Sequence, residues 1–359
     1  MSRFTPPIDD QHYDVEPVPA RPDRGRRLLR RTLIVIGAFI GVIVVAIGGV
    51  KLADVALTAR ERAEHAAPGS LVDVDGHSMH VVVEGDGDHT IVLVPGLGTS
   101  SPVFDFEPLT EALSEHSRVA VVEPFGYGWS DSTDREMTAV NVAHDIHAAL
   151  VGADVPGPYV IAAHSIGGLY AQQFADLYPE DTAAVVGIDP TMPRTFDFAP
   201  ATEGGVDPFA APIPEYFGWA TAMGWTRILQ GVVGDDPQLT SGASSADGYS
   251  RANLEMQRTL TNWSAMSSNV MDQAGRLAET IGEVENLRFS ERTPVLLFTA
   301  QSEHGDDAEW LTRARDDYLA SSGCAATVGV DAGHYLHHTA SSTLATEIQH
   351  FLDRCVAPA

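Results

Sequence analysis

Cysteine is scarce in this chain of 359 residues, which contains only Cys324 and Cys355. Two cysteines are too few for a disulfide-stapled scaffold, and their spacing does not match a zinc site. The fold must therefore rest on a hydrophobic core, for which a 44% hydrophobic composition is sufficient. Two separate buried thiols are the simpler interpretation, and one disulfide is the alternative if the domain faces an oxidising compartment.

Positive charge is also scarce. Lys51 is the only lysine, and 22 basic residues stand against 49 acidic ones, for a formal net charge of −27. Such a surface repels phosphate, so neither nucleic acid nor an anionic lipid headgroup is an expected partner. No internal repeat is visible, and the length predicts one catalytic domain with a tail.

The N-terminal segment contains the one long uncharged run. Residues 1–31 are rich in Pro, Asp and Arg without apolar periodicity, which predicts a disordered tail. From Thr32 to Val50 no residue is charged, close to the ~20 apolar residues that cross a bilayer. We therefore predict a transmembrane helix over 32–54 and a helical stalk over 55–69, so that residues 32–54 make the lipid bilayer a partner.

Several arginines precede this run, so the positive-inside rule predicts a single-pass cell-membrane protein with a cytoplasmic N-terminus and an extracytoplasmic domain. A cleaved signal peptide is the rival interpretation, but the run is long and lacks a clear cleavage site. A buried helix of the soluble domain is also disfavoured, because the run is apolar on all sides.

From Leu71 onward, apolar strand runs alternate with helical segments, which predicts an α/β fold with a mostly parallel sheet buried on both faces. The rhythm fails between about Thr191 and Thr293, where amphipathic and aromatic segments occur instead. A structureless loop of that length is uncommon in a compact domain. We therefore predict an α/β domain over 70–190 and 291–357, covered by a helical cap over 191–290.

The strongest local motif is PYVIAAHSIGG, in which a buried strand ends at His164, Ser165 follows, and a helix begins. Small residues flank this serine, as a strained nucleophile elbow requires. Ala163 replaces the first glycine of the usual pattern, which keeps the steric requirement. Without a buried strand before it and a helix after it, such a motif would more often be an ordinary turn. Because both flank Ser165, we predict that this serine is a catalytic nucleophile.

Two backbone amides are candidates for an oxyanion hole. The N–H of Ile166 lies at the start of the helix after the nucleophile, where the helix dipole favours negative charge. The loop LVPGLGTSS after an earlier strand offers the N–H of Leu97, with Gly96 allowing a sharp turn. Gly96 and His164 are predicted to line the substrate pocket.

The general base is predicted to be His334, in the segment DAGHYLHHT between the last strand and the last helix. His337 and His338 are nearby rivals. We prefer His334 because Ala332 and Gly333 let the backbone turn it inward, whereas the other two could lie on the departing helix.

The motifs PGLGTS, EPFGYGWSD, AHSIGGLY, GIDP and AGHYLHHT occur in this order and resemble the α/β-hydrolase superfamily over about Leu71 to Val356. The chain is similar to its cap-bearing branch, which includes proline iminopeptidase-like, lipase-like and esterase-like members. In that family EPFGYGWSD would shape the pocket floor. Pro95 and Gly96 replace the His-Gly of many relatives, so a histidine role there is missing.

The resemblance leaves the third catalytic residue open. In most relatives an acid follows the strand after the cap, which makes Glu303 the positional match, with Asp306 and Asp307 as neighbours. In others it ends the strand after the nucleophile, where this chain has Asp189. We favour Asp189 slightly, although it could also be a turn residue.

These residues predict hydrolysis of an ester or amide of a small to medium, partly apolar molecule through an acyl-enzyme, with no metal or organic cofactor. Relatives that cleave haloalkanes or epoxides place Asp where Ser165 stands, which argues against those activities. The alternatives are a membrane-tethered binding module without turnover and non-hydrolytic chemistry on the same fold. Cap residues suggest an apolar pocket, unless they form the cap's own core: Phe217, Trp219, Met223, Trp225 and Trp263.

Overall fold

The computed structural model describes residues 24–198, 215–233, 242–301 and 309–357. The chain divides into two compact units, of which the first ends at Gly49 and the second runs from Val50 to the C-terminus. The first unit contains the N-terminal part of helix α1 (Arg24–Glu64). By length and composition α1 is a candidate membrane span, and its most apolar stretch is not buried in the protein.

Helix α1 is longer at both ends than the predicted span. It begins at Arg24, so the prediction of disorder was wrong for residues 24–31, and residues 1–23 of that tail lie outside the described residues. Arg and Leu are strong helix formers, so the segment RGRRLLRR can extend the apolar helix. The helix also continues through most of the predicted stalk and ends at Glu64. The predicted domain boundaries otherwise stay predictions.

The second unit is built on an eight-stranded sheet. Its strands are β1 (Ser70–Val74), β2 (His77–Glu84), β3 (Thr90–Val94), β4 (Arg118–Glu123), β5 (Tyr159–His164), β6 (Thr182–Ile188), β7 (Val295–Ala300) and β8 (Ala325–Val330). They lie in the order β1-β2-β4-β3-β5-β6-β7-β8. Strand β2 pairs antiparallel with β1 and β4, and all other pairs are parallel, as the sequence predicted.

The central strands are apolar on both faces because helices cover both sides of the sheet. In β3, Val92 and Val94 belong to one buried cluster, whereas Ile91 and Leu93 belong to the other. Strand β5 divides in the same way. Because successive side chains of a strand point to opposite faces, the continuous apolar runs in the sequence reflect two cores that share one sheet.

Helices fill both faces and the cap. Those that belong to the α/β framework are α2 (Pro102–Asp105), α3 (Glu107–Ser114), α4 (Ala139–Gly152), α5 (Gly167–Leu177), α11 (Glu309–Leu319), α12 (Leu336–Thr339) and α13 (Ser341–Cys355). The interruption is helical, as predicted, and contains α6 (Glu215–Ala222), α7 (Trp225–Val233), α8 (Arg251–Ser264), α9 (Ser268–Gly275) and α10 (Leu277–Val284), with short 3-10 helices at Thr195–Phe198 and Ser245–Asp247.

The two cysteines form a disulfide, so the simpler interpretation of separate thiols was wrong. Cys324 lies just before β8 and Cys355 ends α13, and their Cα atoms are 6.0 Å apart. Both side chains pack against the core cluster that α13 covers. The fold brings the start of β8 and the end of α13 together, a proximity that two isolated positions in the sequence do not reveal.

Replacing both cysteines with serine is expected to lower the free energy of unfolding by about 3–4 kcal/mol, because the bridge closes a loop of 31 residues in the unfolded chain. Urea unfolding of the wild type and the double variant, with and without dithiothreitol, measures this difference. The reductant should weaken only the wild type. Equal midpoints in oxidising buffer would contradict the prediction.

Candidate active site

The predicted site residues follow the carboxyl ends of parallel strands. Leu97 follows β3, Ser165 follows β5, Asp189 follows β6 and His334 follows β8. Strand β4 lies on one side of β3 and β5 on the other, so the strand order reverses at the β3/β5 pair. Such a switch point leaves a crevice at the carboxyl ends of the strands, where ligands of open α/β sheets bind.

Ser165 adopts a backbone conformation that few non-glycine residues tolerate, with φ = +53°. It stands between β5 and α5, as the elbow motif predicted. The turn is tight: a Cβ atom on Gly168 would approach Pro190 Cβ to 2.6 Å. On the other side, a Cβ atom on Gly96 would come within 2.7 Å of His164 Nδ1 and 3.1 Å of Ser165 Cβ. Side chains at either glycine would therefore push the serine turn out of place.

Two backbone amides beside this serine are unengaged. Within the described parts of the chain, neither the N–H of Leu97 nor that of Ile166 donates to a protein acceptor. The neighbouring N–H of Gly98 donates to the hydroxyl of Tyr127 at 3.1 Å, which fixes the loop. Tyr127 in turn donates to Gln273 of α9, so the cap helps to hold the loop that carries Leu97.

Asp189 and His334 form a hydrogen-bonded pair, with 2.6 Å between Oδ2 and Nδ1. A carboxylate only accepts, so His334 donates from Nδ1 and its Nε2 is left free to take a proton. The other carboxylate oxygen accepts from the N–H of Ala300 at 3.0 Å. Asp189 has φ = +45°, so backbone strain occurs at both the serine and this aspartate.

The structure therefore brings together His334 and one of the two candidate acids. Glu303, the other candidate, lies outside the described residues, as do Asp306 and Asp307. In the sequence, Asp189 was indicated as a candidate acid because its carboxylate comes directly after a buried strand. Such a residue needs a hydrogen-bond partner, which His334 and the β7 backbone supply.

His164 directly precedes the serine, and its contacts connect two parts of the site, whereas its place in the substrate pocket stays a prediction. It is fully buried and its Nε2 donates to the carbonyl oxygen of His334 at 3.1 Å. The two rings are 4.7 Å apart between centroids. Burial holds the pKa of His164 well below its ordinary value, so this imidazole is neutral. His164 therefore positions the loop that carries His334.

The two rival histidines bind a carboxylate that the sequence patterns did not reveal. Asp105 accepts from Nε2 of His337 at 2.7 Å and from Nε2 of His338 at 2.8 Å, and all three residues are buried. Burial alone would raise the pKa of Asp105, but the two imidazoles outweigh it and hold the pKa well below its ordinary value. Burial also lowers the pKa of His337, against the opposing effect of Asp105.

This Asp105 cluster joins two functional loops. Asp105 ends α2, which follows the loop with Leu97, whereas His337 and His338 lie on α12, directly after His334. Among the described residues these three side chains are also the group that could hold a metal ion, with ligand atoms within 4.8 Å of one another. Each carboxylate oxygen is already hydrogen-bonded to an imidazole, so a cation would have to displace those protons.

A second residue missed in the sequence is Glu123, the fully buried carboxylate that ends β4. It accepts from His80 Nδ1 at 2.9 Å, Ser101 Oγ at 3.0 Å and the N–H of Trp129 at 2.8 Å. Burial lowers the pKa of His80, but the bond to Glu123 and its charge outweigh this, and the pKa is raised. A Cβ atom on Gly128 would overlap this carboxylate, which explains one glycine of the EPFGYGWSD motif.

The two cap tryptophans whose side chains the structure describes, Trp225 and Trp263, lie in different surroundings. Trp263 packs edge-on against Trp129 at 5.8 Å, whereas Trp225 is 52% exposed on the outer face of α7. Met223 is half-buried, and the side chains of Phe217 and Trp219 lie outside the described residues. Trp263 instead lines a groove of about 740 Å³ between α1 and the cap, together with Val55, Ala59, Ala222, Met266 and Met271.

A family model described as the alpha/beta hydrolase family matches residues 91–346. This match covers well over half of the chain and includes every catalytic candidate. The chain therefore belongs to the alpha/beta hydrolase family, as its motifs suggested. It has the corresponding fold, with helices on both faces of the mostly parallel sheet.

The relatives and solved structures agree with this assignment. The uncharacterised protein YbdG of Bacillus subtilis is 25% identical over 252 residues, which is 70% of this chain and 74% of that protein. A 2-(acetamidomethylene)succinate hydrolase of Mesorhizobium japonicum is 31% identical over 118 residues, covering 33% of this chain and 41% of that enzyme. Family membership and the second of these relatives support a hydrolytic enzyme.

Among solved structures, an epoxide hydrolase from Vigna radiata superimposes with a TM-score of 0.59 at 16% identity, covering 79% of this chain and 97% of that one. The protein Cfl2 of Burkholderia cenocepacia gives a TM-score of 0.56 at 22% identity, covering 78% and 94%. At these identities the likeness shows the shared fold alone.

Proposed function

We propose that this protein is a serine hydrolase that cleaves an ester or amide through an acyl-enzyme. The observation that carries the proposal is the 2.6 Å hydrogen bond between Asp189 and His334, which follow β6 and β8 at the same edge of the sheet as the positive-φ turn at Ser165. An acid that orients an imidazole next to a strained serine is the arrangement of a Ser-His-acid triad. Glu303 stays the alternative acid.

In the proposed mechanism, His334 Nε2 takes the proton from the Ser165 hydroxyl as its oxygen attacks the substrate carbonyl. The N–H groups of Leu97 and Ile166 stabilise the oxyanion that forms. His334 then gives its proton to the leaving alcohol or amine. In the second half of the reaction, His334 takes a proton from water as the water attacks the acyl-enzyme, and the acid is released as the proton returns to Ser165. Asp189 keeps His334 in the required tautomer and stabilises the imidazolium.

A partly apolar substrate of small to medium size fits this proposal. The surface of the groove that contains Trp263 is mostly apolar, although Lys51, Asp54 and Arg62 also line it, and α9 forms part of its wall through Met271. The preceding residue of α9, Val270, lies close to Gly98 in the oxyanion loop, with its Cγ1 atom 4.0 Å from the position of a Cβ atom there. The groove and the oxyanion loop thus both contact α9, through neighbouring residues of that helix.

We further propose that α1 anchors the protein in the cell membrane, with the N-terminus cytoplasmic and the second unit outside. The arginines before the apolar run support this direction by the positive-inside rule. The Cys324–Cys355 disulfide gives independent support, because such bonds persist mainly in oxidising compartments.

The proposal is tested by incubating the detergent-solubilised full chain with a fluorophosphonate probe, which reacts with activated serines. We expect one adduct, mapped by mass spectrometry to the peptide that contains Ser165. No adduct is expected in Ser165→Ala, whereas Ser101→Ala, at a serine whose hydroxyl donates to Glu123, should still react. An unlabelled wild type would contradict the proposal and favour the second candidate, a tethered binding module without turnover.

A further inference from the structure

Helix α7 presents its apolar face outward. Trp225, Ile228, Leu229 and Val232 are 52%, 38%, 51% and 80% exposed. They are spaced at i, i+3, i+4 and i+7, so they form a single stripe along the helix. A surface helix of a soluble domain normally points such a stripe toward the core. Contiguous exposed apolar side chains of this kind mark a site for another molecule or a membrane.

The polar face of α7 is the one that packs against the protein. Arg227 donates to Asp54, Thr58 and Glu61 of α1 over 2.6 to 2.8 Å. Gln230, one turn further along, bonds to α8 through the carbonyl oxygen of Arg258 and the amide of Asn262, both at 3.0 Å. These contacts fix the rotation of the helix, so the apolar stripe stays outside.

The position of α7 along the chain indicates what covers the stripe. A Cβ atom on Gly224, in the turn before Trp225, would lie 2.9 Å from Asp54 Cβ and 3.4 Å from Val50 Cγ1. Val50 is the last residue of the uncharged run that begins at Thr32. Asp54 is four residues beyond it, a rise of about 6 Å along a helix. Since Val50 ends the uncharged run and lies near Gly224, Trp225 is close to the membrane surface when this run crosses a bilayer.

We propose that the apolar stripe of α7 lies in the interfacial layer of the bilayer that α1 crosses. The proposal rests on the membrane anchoring proposed for α1 and goes beyond it, because it makes the cap itself a membrane-bound element. Trp is enriched at the level of the lipid headgroups, and interfacial helices bury such a stripe in that layer. With a net charge of −27, the lipid expected is zwitterionic.

Three exposed valines provide a matched test in the full chain. Val232 lies in the stripe, Val44 in the uncharged run of α1, and Val151 on α4 of the α/β framework. Each is replaced singly by cysteine and labelled with an environment-sensitive fluorophore. The described natural cysteines are disulfide-bonded, so the introduced thiol is the one that reacts. The variants are reconstituted in phosphatidylcholine vesicles with or without bromine on the acyl chains, which quenches fluorophores in the lipid.

We expect the labels at 232 and 44 to lose emission in brominated vesicles and the label at 151 to keep it. Quenching at 44 without quenching at 232 would overturn the proposal for α7 and leave the anchor intact. Absence of quenching at both would overturn the anchor as well. A blue-shifted but unquenched label at 232 would mean that a protein surface, such as a second copy, covers the stripe. Equal quenching at 151 would also overturn the proposal.

Discussion

Replacing Asp189 with asparagine is expected to lower kcat for acyl-ester hydrolysis by about 10⁴-fold, because the amide leaves His334 in the wrong tautomer for accepting the serine proton. The side chain keeps its size, and asparagine tolerates the left-handed conformation that Asp189 adopts at φ = +45°. Thermal stability should therefore change little. The measurement is steady-state hydrolysis of an activated ester that the wild type cleaves, with a melting curve for each variant.

Glu303→Gln is the matched control, because it removes the charge of the alternative acid by the same chemical change. We expect its kcat to stay close to that of the wild type, and Ser165→Ala to set the background. The opposite pattern, with a large loss in Glu303→Gln and a small one in Asp189→Asn, would mean that the bond seen at 2.6 Å is structural and that Glu303 orients the base.

The sheet, the elbow and the order of the site residues could be predicted because each leaves a local pattern in the sequence. A strand buried on both faces is a continuous apolar run, and β5 ends directly at His164 before Ser165. Small residues around the serine are required by close contacts, as at Gly168, so they too are visible in the sequence. Helix α1 was predicted because an uncharged apolar run of about 20 residues is typical of membrane-spanning helices.

The buried carboxylates could not be paired from the sequence, because their partners are distant along the chain. Asp105 bonds to residues more than 230 positions later, and Glu123 bonds to a histidine on a different strand. A signal was present nonetheless. Glu123 ends the apolar run RVAVVE, and a charged residue in such a run must have a partner when buried. The sequence alone indicates the need for a partner but not which residue supplies it.

The disulfide and the orientation of α7 were missed for a related reason. Both depend on which elements become neighbours in the fold. Trp225 was expected to line an apolar pocket or to belong to the cap's own core, and the stripe from Trp225 to Val232 has the periodicity of a core-facing helix. The ion pairs of Arg227 with α1 reverse that orientation. Arg227 lies on the face opposite the stripe, and its carboxylate partners belong to α1. The polar face of α7 therefore turns toward α1 and the apolar face turns outward.

Replacing Asp105 with asparagine is expected to lower the free energy of unfolding by about 1–3 kcal/mol, the usual cost of leaving a buried hydrogen-bond donor without its partner. Each carboxylate oxygen now accepts from one imidazole. An asparagine offers one acceptor and one donor, so its amide group would face an N–H of His337 or His338. One buried donor would lose its partner, and the loops that carry Leu97 and His334 would lose their connection.

Chemical denaturation of Asp105→Asn at several pH values measures this loss, with Asp86→Asn, at an exposed position, as a control expected to change stability by less than about 0.5 kcal/mol. Because folding lowers the pKa of Asp105, the stability that its carboxylate contributes is complete above the pKa of aspartate in the unfolded chain, about 3.9. This stability is lost as the pH falls below that value. The difference from wild type should therefore be complete at neutral pH and shrink only in acid. A difference that vanished already near neutral pH would show that Asp105 is protonated there in the folded protein, against the lowered pKa expected for it.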